Sequence, residues 1–347
     1  MDPNRLPEQH DPAKGCANCG NLNVVPGYPT PLCDECRQLF IKYPLPLWVK
    51  MFAAGILLVM LFSWYTFPKN FSLGIHLENG KKAEKAGKYL TAQREYEAVL
   101  QKVPGNTEAE ARLMKVSFYN EDFEIFTGMA EKLAGRSFED DELLESLNDL
   151  VDRFTGYYPD DSLQQIILSN KLHAAPMEDT VLLNYLSLNR DIYGMYYYAG
   201  VCFDKENYTT CDSVLNLILQ DDENYIPALR LLATSQREQG QPELSIQTCN
   251  HMLAINRENA YAIASLARNY LKQKKDKEAL QLALQSVETN KNEPYAIATL
   301  VLAYHFNNEQ AKRDELIRLA KVSGDSTLMG FMEYPQDIIA GKQTFRN

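Results

Sequence analysis

Residues 260–270 read AYAIASLARNY and residues 294–304 read PYAIATLVLAY, and the two stretches nearly superimpose at an offset of 34. The same offset links Ala228-Leu229, Ala262-Ile263 and Ala296-Ile297, then Leu232, Leu266 and Leu300, then Ala233, Ala267 and Val301. Apolar residues keep a helical spacing from residue 73 onward. A fixed period of this size marks a solenoid in which each helical pair buries its apolar face against the next. The fold class expected is therefore all-α.

Within that period the residue types are specific. In 260–293, Leu266-Ala267, Tyr270, Ala279 and Ala283 occupy the close-packing positions; in 73–106, Gly80, Ala92, Tyr96 and Pro104 do so. Small residues there let two helix backbones approach. On these residues the chain resembles the tetratricopeptide (TPR) family, over 69–106 and 192–327, about half its length. Frames 192–225, 226–259 and 294–327 depart from the pattern, with Cys211, Ser245 and Arg313 at the alanine position of the second helix. Residues 107–191 read as an irregular helical segment out of frame, and 328–347 as a capping helix with a tail. The acidic clusters at 139–142, 160–161 and 221–223 read as helix caps and solvated loops rather than metal sites.

The resemblance implies a TPR-like superhelical groove for a partner protein or peptide. Carried onto this chain, its lining positions are Tyr193, Tyr196, Arg230, Arg237, Tyr261, Arg268, Lys272, Tyr295 and His305. Arginine offers a two-pronged fork to carboxylates and tyrosine a large contact area, so the expected ligand is an extended acidic peptide. The competing reading is that these arginines pair with acidic side chains of neighbouring repeats. Cys202, Cys211 and Cys249 read as small buried hydrophobes. His76, His173, His251 and His305 have no partner at metal-ligand spacing.

Working outward toward the N-terminus, 51–67 is MFAAGILLVMLFSWYTF, with no charge. From Trp48 to Phe67 a helix would extend roughly 30 Å, a bilayer's hydrocarbon thickness. Trp48 and Trp64-Tyr65 stand where interfacial aromatics belong, Lys50 is placed to reach the headgroups, and Pro44, Pro46 and Pro68 flank the run. The expectation is a single transmembrane helix over 44–68. No small-x-small cleavage site comes after it, so the segment reads as an anchor rather than a signal peptide.

Before it, residues 1–43 carry CANC (16–19), thirteen residues, and CDEC (33–36). Each Cys-x-x-Cys sets two thiolates on one knuckle, and four thiolates suit tetrahedral zinc. Gly20 tolerates a left-handed backbone after the first pair, and Pro26, Gly27, Pro29 and Pro31 turn the chain back between the pairs. The stretch resembles a miniature zinc ribbon with Cys16, Cys19, Cys33 and Cys36 as structural Zn²⁺ ligands. Two disulfides or a redox-active Cys-x-x-Cys are the alternatives, although no surrounding βαβ pattern supports the latter.

The chain's formal charge of −11 falls wholly after residue 67, since the first 67 residues balance five basic against five acidic groups. An acidic repeat domain lacks the surplus lysine and arginine that non-specific nucleic-acid binding needs. No glycine-rich phosphate loop, nucleophile elbow or His-Glu-x-x-His run is present, so neither an enzyme nor a small-molecule substrate is expected. The expectation is a membrane-anchored scaffold or adaptor, with a transmembrane sensor coupling the repeats to the zinc module as the alternative. Zinc thiolates favour a reducing compartment, which favours the N-terminus in the cytoplasm and the repeats outside, as in a bacterial inner membrane, with the opposite topology as the alternative because flanking charge does not decide.

Overall fold

The computed structural model describes residues 15–41, 46–138, 140–172 and 179–346, without the side chains at 41, 64–70, 170–172 and 179. His173 and residues 1–14 lie outside them. The chain divides into two compact units, Met1–Phe71 and Ser72–Asn347.

In the first unit, residues 15–33 form turns and extended chain that lead into helix α1 (Asp34–Ile41). Helix α2 (Leu47–Lys85) begins in this unit and ends in the second. Its side chains from Met51 to Ser63 are exposed.

The expectation of a single-pass membrane protein, N-terminus inside and repeats outside, is corrected here: among the described residues no helix is long and apolar enough to cross a membrane. The physical reason lies in how the apolar run is housed. Pro68 does not end a free-standing span, because α2 continues through it into the charged segment that packs in the repeat unit. Residues 64–67 of the run are among those whose side chains are not described.

The second unit is a helical-repeat solenoid. The end of α2 pairs with α3 (Tyr89–Lys102), α4 (Thr107–Tyr119) with α5 (Phe123–Leu133), α9 (Ile192–Asp204) with α10 (Tyr208–Asp221), and α11 (Ile226–Glu238) with α12 (Pro242–Ile255). Two further hairpins complete the series, α13 (Ala260–Lys272) with α14 (Asp276–Thr289) and α15 (Pro294–Phe306) with α16 (Gln310–Ser323), and α17 (Ser326–Ile339) lies on α15. Between the second and third hairpins stand α6 (Asp141–Phe154), a 3₁₀ turn (Thr155–Tyr157), α7 (Asp161–Leu172) and α8 (Asp179–Leu188).

One backbone device makes every hairpin turn. Gly87, Glu121, Glu206, Gly240, Lys274 and Asn308 all hold positive φ. After each, the next amide donates back to the carbonyl five residues earlier: Lys88 to Ala83, Asp122 to Ser117, Asn207 to Cys202, Gln241 to Gln236, Lys275 to Tyr270 and Glu309 to Tyr304, all at 2.9–3.0 Å. This left-handed C-terminal motif closes the helix's orphan carbonyls and reverses the chain. The turn residues recur 34 apart, except that 85 residues separate Glu121 from Glu206, two and a half periods. The α4–α5 hairpin is therefore in frame with the first, and the half-period is taken up by α6–α8. Helix starts are capped by Asn106, Asp122, Asp140, Asp191, Asn207 and Asn259, whose side chains accept from backbone amides.

The small residues pack as their spacing requires. An added Cβ at Gly80 would lie 2.4 Å from the buried Tyr96 ring, whose hydroxyl donates to Glu84 (2.7 Å). Ala92, Ala199, Ala233, Ala267 and Ala283 are fully buried, as are Cys211 and Cys249. Ser245 is buried without penalty because its hydroxyl donates to the Ala233 carbonyl (2.6 Å) and accepts from Asn269 (2.8 Å). Arg313 is accommodated at the hairpin's edge, its Nε donating to Asp314 (2.8 Å) and its Nη1 lying 3.2 Å from His305 Nδ1.

Candidate functional site

The four N-terminal cysteines converge. The sulfurs of Cys16, Cys19, Cys33 and Cys36 all lie within 4.8 Å of one another, with Cys19 and Cys33 3.5 Å apart and none bridged. Two local turns build this cluster. Cys16 donates its amide to Asn21 O (2.7 Å) while Gly20, at φ 73°, donates to Cys16 O (2.8 Å). Gly15 is enclosed so closely by Gly20 O and Asn21 O that a Cβ there would clash at 2.6 Å. The second pair straddles the first turn of α1, where Arg37 N–H donates to Cys33 O (2.9 Å). The chain between them is tied by Ala17 N–H to Pro31 O and by Val25 N–H to Leu32 O. The Cys33 amide aimed at the Cys16 sulfur pulls that thiol down to about 6. Tetrahedral thiolate zinc sets its sulfurs ~3.8 Å apart, from Zn–S bonds of ~2.3 Å. The cluster fits, and the four cysteines can hold a metal ion.

In the repeat unit, the helix-A face joins most of the arginines and tyrosines singled out by the sequence. Arg230 lies 4.4 Å over the Tyr261 ring, Tyr261 stacks on Tyr295 at 4.1 Å, and Arg268 lies 3.9 Å over the other side of Tyr295. The ladder ends on Tyr334 of α17, 5.7 Å from Arg268. Stacking over aromatic faces is how guanidinium groups are held away from water.

The carboxylates on this face are few. Arg237, 4% exposed, donates to Glu238 (3.2 Å), Ser265 Oγ (3.3 Å) and Tyr295 Oη (3.3 Å). Lys272 donates to the same Glu238 (2.9 Å). Arg268, 6% exposed, donates only to Thr299 Oγ1 (2.8 Å) and makes no ion pair among the described residues. Burial, with Arg237 close by, pulls Arg268 below the ordinary guanidinium range. Glu238 moves the other way: burial raises its pKa, but Arg237 and Lys272 together hold it below the usual carboxylate value. Arg268 thus has no carboxylate, while Arg237 and Lys272 share one. A cleft of about 470 Å³ opens beside them, lined by Arg237, Glu238, Lys272, Phe345 and Arg346 among others.

Arg230 differs, since its Nη2 pairs with Glu121 at 2.8 Å. Tyr196 sits edge-on to Tyr225 and close enough to Arg230 for the cation to oppose the upward push of burial on its hydroxyl. Tyr193 instead packs against the α7–α8 cluster of Leu163, Ile167, Leu182 and Tyr185. His305 stands at the far end of α15, where burial, Arg313 and Arg346 lower its pKa. A second cleft, about 390 Å³, lies among Lys81, Glu84, Arg112, Lys115 and Asp140, but these charges satisfy one another: Lys81 with Glu108, Arg112 with Glu84, Glu108 and Asp140, Lys115 with Glu84.

Sequence reasoning did not single out Glu121, Glu238, Thr299 or Tyr334. Glu121 carried a usable signal, standing 34 residues after Gly87 at the turn position. Tyr334 carried none, because it reaches Arg268 only through the packing of α17.

No family model matches the chain, and no curated protein does. Solved structures with some likeness include a double mutant of MamA RS-1 (15% identity, TM-score 0.36, covering 50% of this chain and 94% of that one). Another MamA structure shows 13% identity and a TM-score of 0.26, over 79% of this chain and 96% of that one. PilF of Pseudomonas aeruginosa shows 13% identity and a TM-score of 0.29, over 78% and 99%. At these scores the likenesses carry no functional argument.

Proposed function

We propose that the chain is a non-enzymatic interaction scaffold whose Arg–Tyr face takes an extended acidic segment of a partner protein, with a structural Zn²⁺ held by Cys16, Cys19, Cys33 and Cys36. The observation that carries the first part is Arg268. A buried cation without a carboxylate is costly, and cation–π stacking of up to ~2 kcal/mol offsets only part of that cost. Arg237 and Lys272 share the single carboxylate of Glu238 beside an open cleft, and Arg268 has only the Thr299 hydroxyl. A ligand carboxylate would supply the missing charge. The tyrosines beside it offer rigid contact area at low entropy cost.

The test uses the full chain and a fluorescein-labelled decaglutamate peptide. Wild type is expected to bind it with a salt-dependent affinity, and Arg268→Gln to lose at least tenfold while keeping the wild-type helical circular dichroism. Equal binding by the two proteins, or none by either, would show that the arginines serve only the packing of the repeats. For the metal, the purified chain is expected to carry one zinc per molecule by elemental analysis and Cys33→Ser to carry none; a metal-free wild type prepared without chelators would refute the zinc assignment.

A further inference from the structure

Glu121 is the residue that the proposed groove does not explain. It sits on the α4–α5 turn, yet its carboxylate lies on Arg230, 109 positions away in the sequence. The turn holds Glu121 at φ 58°, a left-handed conformation disfavoured for any residue with a Cβ. Burial also raises its pKa, with Glu293 adding to the rise and Arg230 opposing it. The pairing is incomplete from the other side too: Arg230 uses Nη2, while its Nε is buried without a hydrogen-bond partner. A carboxylate arriving side-on would engage Nε and Nη2 together, the stronger two-pronged geometry.

Glu121 does not act alone. The turn that enters α13 meets the first two hairpins through a small polar contact. Arg257 donates its amide to Gly87 O (2.8 Å), and Thr91 gives its amide and hydroxyl to the Glu258 carboxylate (2.8 and 2.6 Å). Asn256 donates to Tyr119 O and Asn120 Oδ1, both at 3.1 Å. These bonds join segments 136 or more residues apart and are polar throughout, forming a clasp at the edge of the apolar core that α4 shares with α9–α11.

We propose that the α4–α5 turn is a built-in, imperfect ligand of the Arg–Tyr face: a partner's carboxylate takes Arg230 by displacing Glu121, and the displacement releases the clasp between the first two hairpins and the α12–α13 turn. This rests on the acidic-ligand reading above and assigns its regulation. The free protein holds its own groove partly filled. Only a segment that offers both prongs to Arg230, and reaches Arg268 beyond the stacked tyrosines, gains enough to open it.

The experiment again uses the full chain and labelled decaglutamate, with Glu121→Gln as the test and Glu124→Gln as the control, since Glu124 is an exposed acid on the same hairpin. Glu121→Gln is expected to bind the peptide about fivefold more tightly than wild type, as removal of one partly exposed ion pair allows, and Glu124→Gln to match wild type. Hydrogen exchange at the Arg257 and Thr91 amides, which are held only by the clasp, is expected to quicken about tenfold when wild type is saturated with peptide. Equal affinity of wild type and Glu121→Gln overturns the gate and leaves the groove standing. An equal gain in Glu124→Gln overturns it as well, because net charge alone would then explain the effect. Unchanged exchange at Arg257 on saturation also overturns it, and absence of binding in every variant removes the groove and the gate together.

Discussion

Glu238 shows how a single side chain sets the electrostatics of the Arg–Tyr face. Its oxygens accept from Arg237 (3.2 Å) and Lys272 (2.9 Å), and although burial alone would raise its pKa, these two cations bring it below the usual carboxylate value. A carboxylate that is more acidic in the folded than the unfolded state stabilises the fold fully above its unfolded value of ~4.3, and that contribution is lost as pH falls through the depressed folded value. Glu238→Gln is therefore expected to lower stability at pH 7 and to flatten the acid side of the stability profile below about pH 4.3, so that the two proteins converge in acid. Urea unfolding at a series of pH values checks this; parallel profiles would show that Glu238 is not held by its cations. The same residue explains why groove and internal pairing stand as rivals in the sequence. Arg237 and Lys272 are paired internally, Arg268 is not, and no spacing rule separates them, because the difference lies in which neighbour Glu238 faces.

At the scale of the element, the hairpin turn is the unit that repeats most faithfully. Six turns share the left-handed residue and the back-donated amide, whether the residue is glycine (Gly87, Gly240) or not (Glu121, Glu206, Lys274, Asn308). Where glycine is absent the Cβ costs ~1–2 kcal/mol of local strain, against ~0.4–1 kcal/mol that glycine would return to the unfolded chain's entropy. Lys274 is exposed, and Gly240 already fills the corresponding position one period earlier. Lys274→Gly is thus expected to stabilise the repeat unit by about 0.5 kcal/mol, read as a higher urea midpoint at unchanged slope; a lower midpoint would mean that strain at the turn is not what limits it. Apolar spacing makes the hairpins of the C-terminal third plain in the sequence. The α4–α5 hairpin is harder to see there, because its frame is carried by a backbone angle at Glu121 rather than by a residue type. The long helix α2 departs from the expected separate span for a related reason. Composition marks an apolar run, but whether that run ends as a helix of its own depends on the residues beyond Pro68, and the helix continues through them.

At the scale of the molecule, two units with different sources of stability stand in one chain. The residues around the cysteine cluster bury little apolar surface beyond Cys16, Cys33, Cys36, Val24 and Leu32, far too little to order a segment of that size unaided. The repeat unit has a continuous core that runs from Ala111 through Phe126, Tyr157 and Leu215 to Leu232. Treatment with a strong zinc chelator is accordingly expected to increase backbone exchange across 15–41 while leaving the cooperative melting of the repeats in place. Loss of both together would show that the metal centre and the solenoid are one folding unit. Coupling of the gate, in contrast, belongs wholly to the repeat unit, since Glu121, Arg230, Glu258 and Thr91 all lie within it.

By itself the sequence determined the all-α repeat architecture, its period of 34 and the pairing of two Cys-x-x-Cys knuckles, because each rests on spacing along the chain: helical periodicity, small residues at packing positions, thiols on tight turns. Tertiary structure alone decided the rest. It joined Arg257 to Gly87, aimed Glu121 at Arg230, left Arg268 without a carboxylate and carried α2 past Pro68. Each of those outcomes depends on contacts between residues far apart in the chain or on where a helix ends, and neither has a counterpart in local residue pattern.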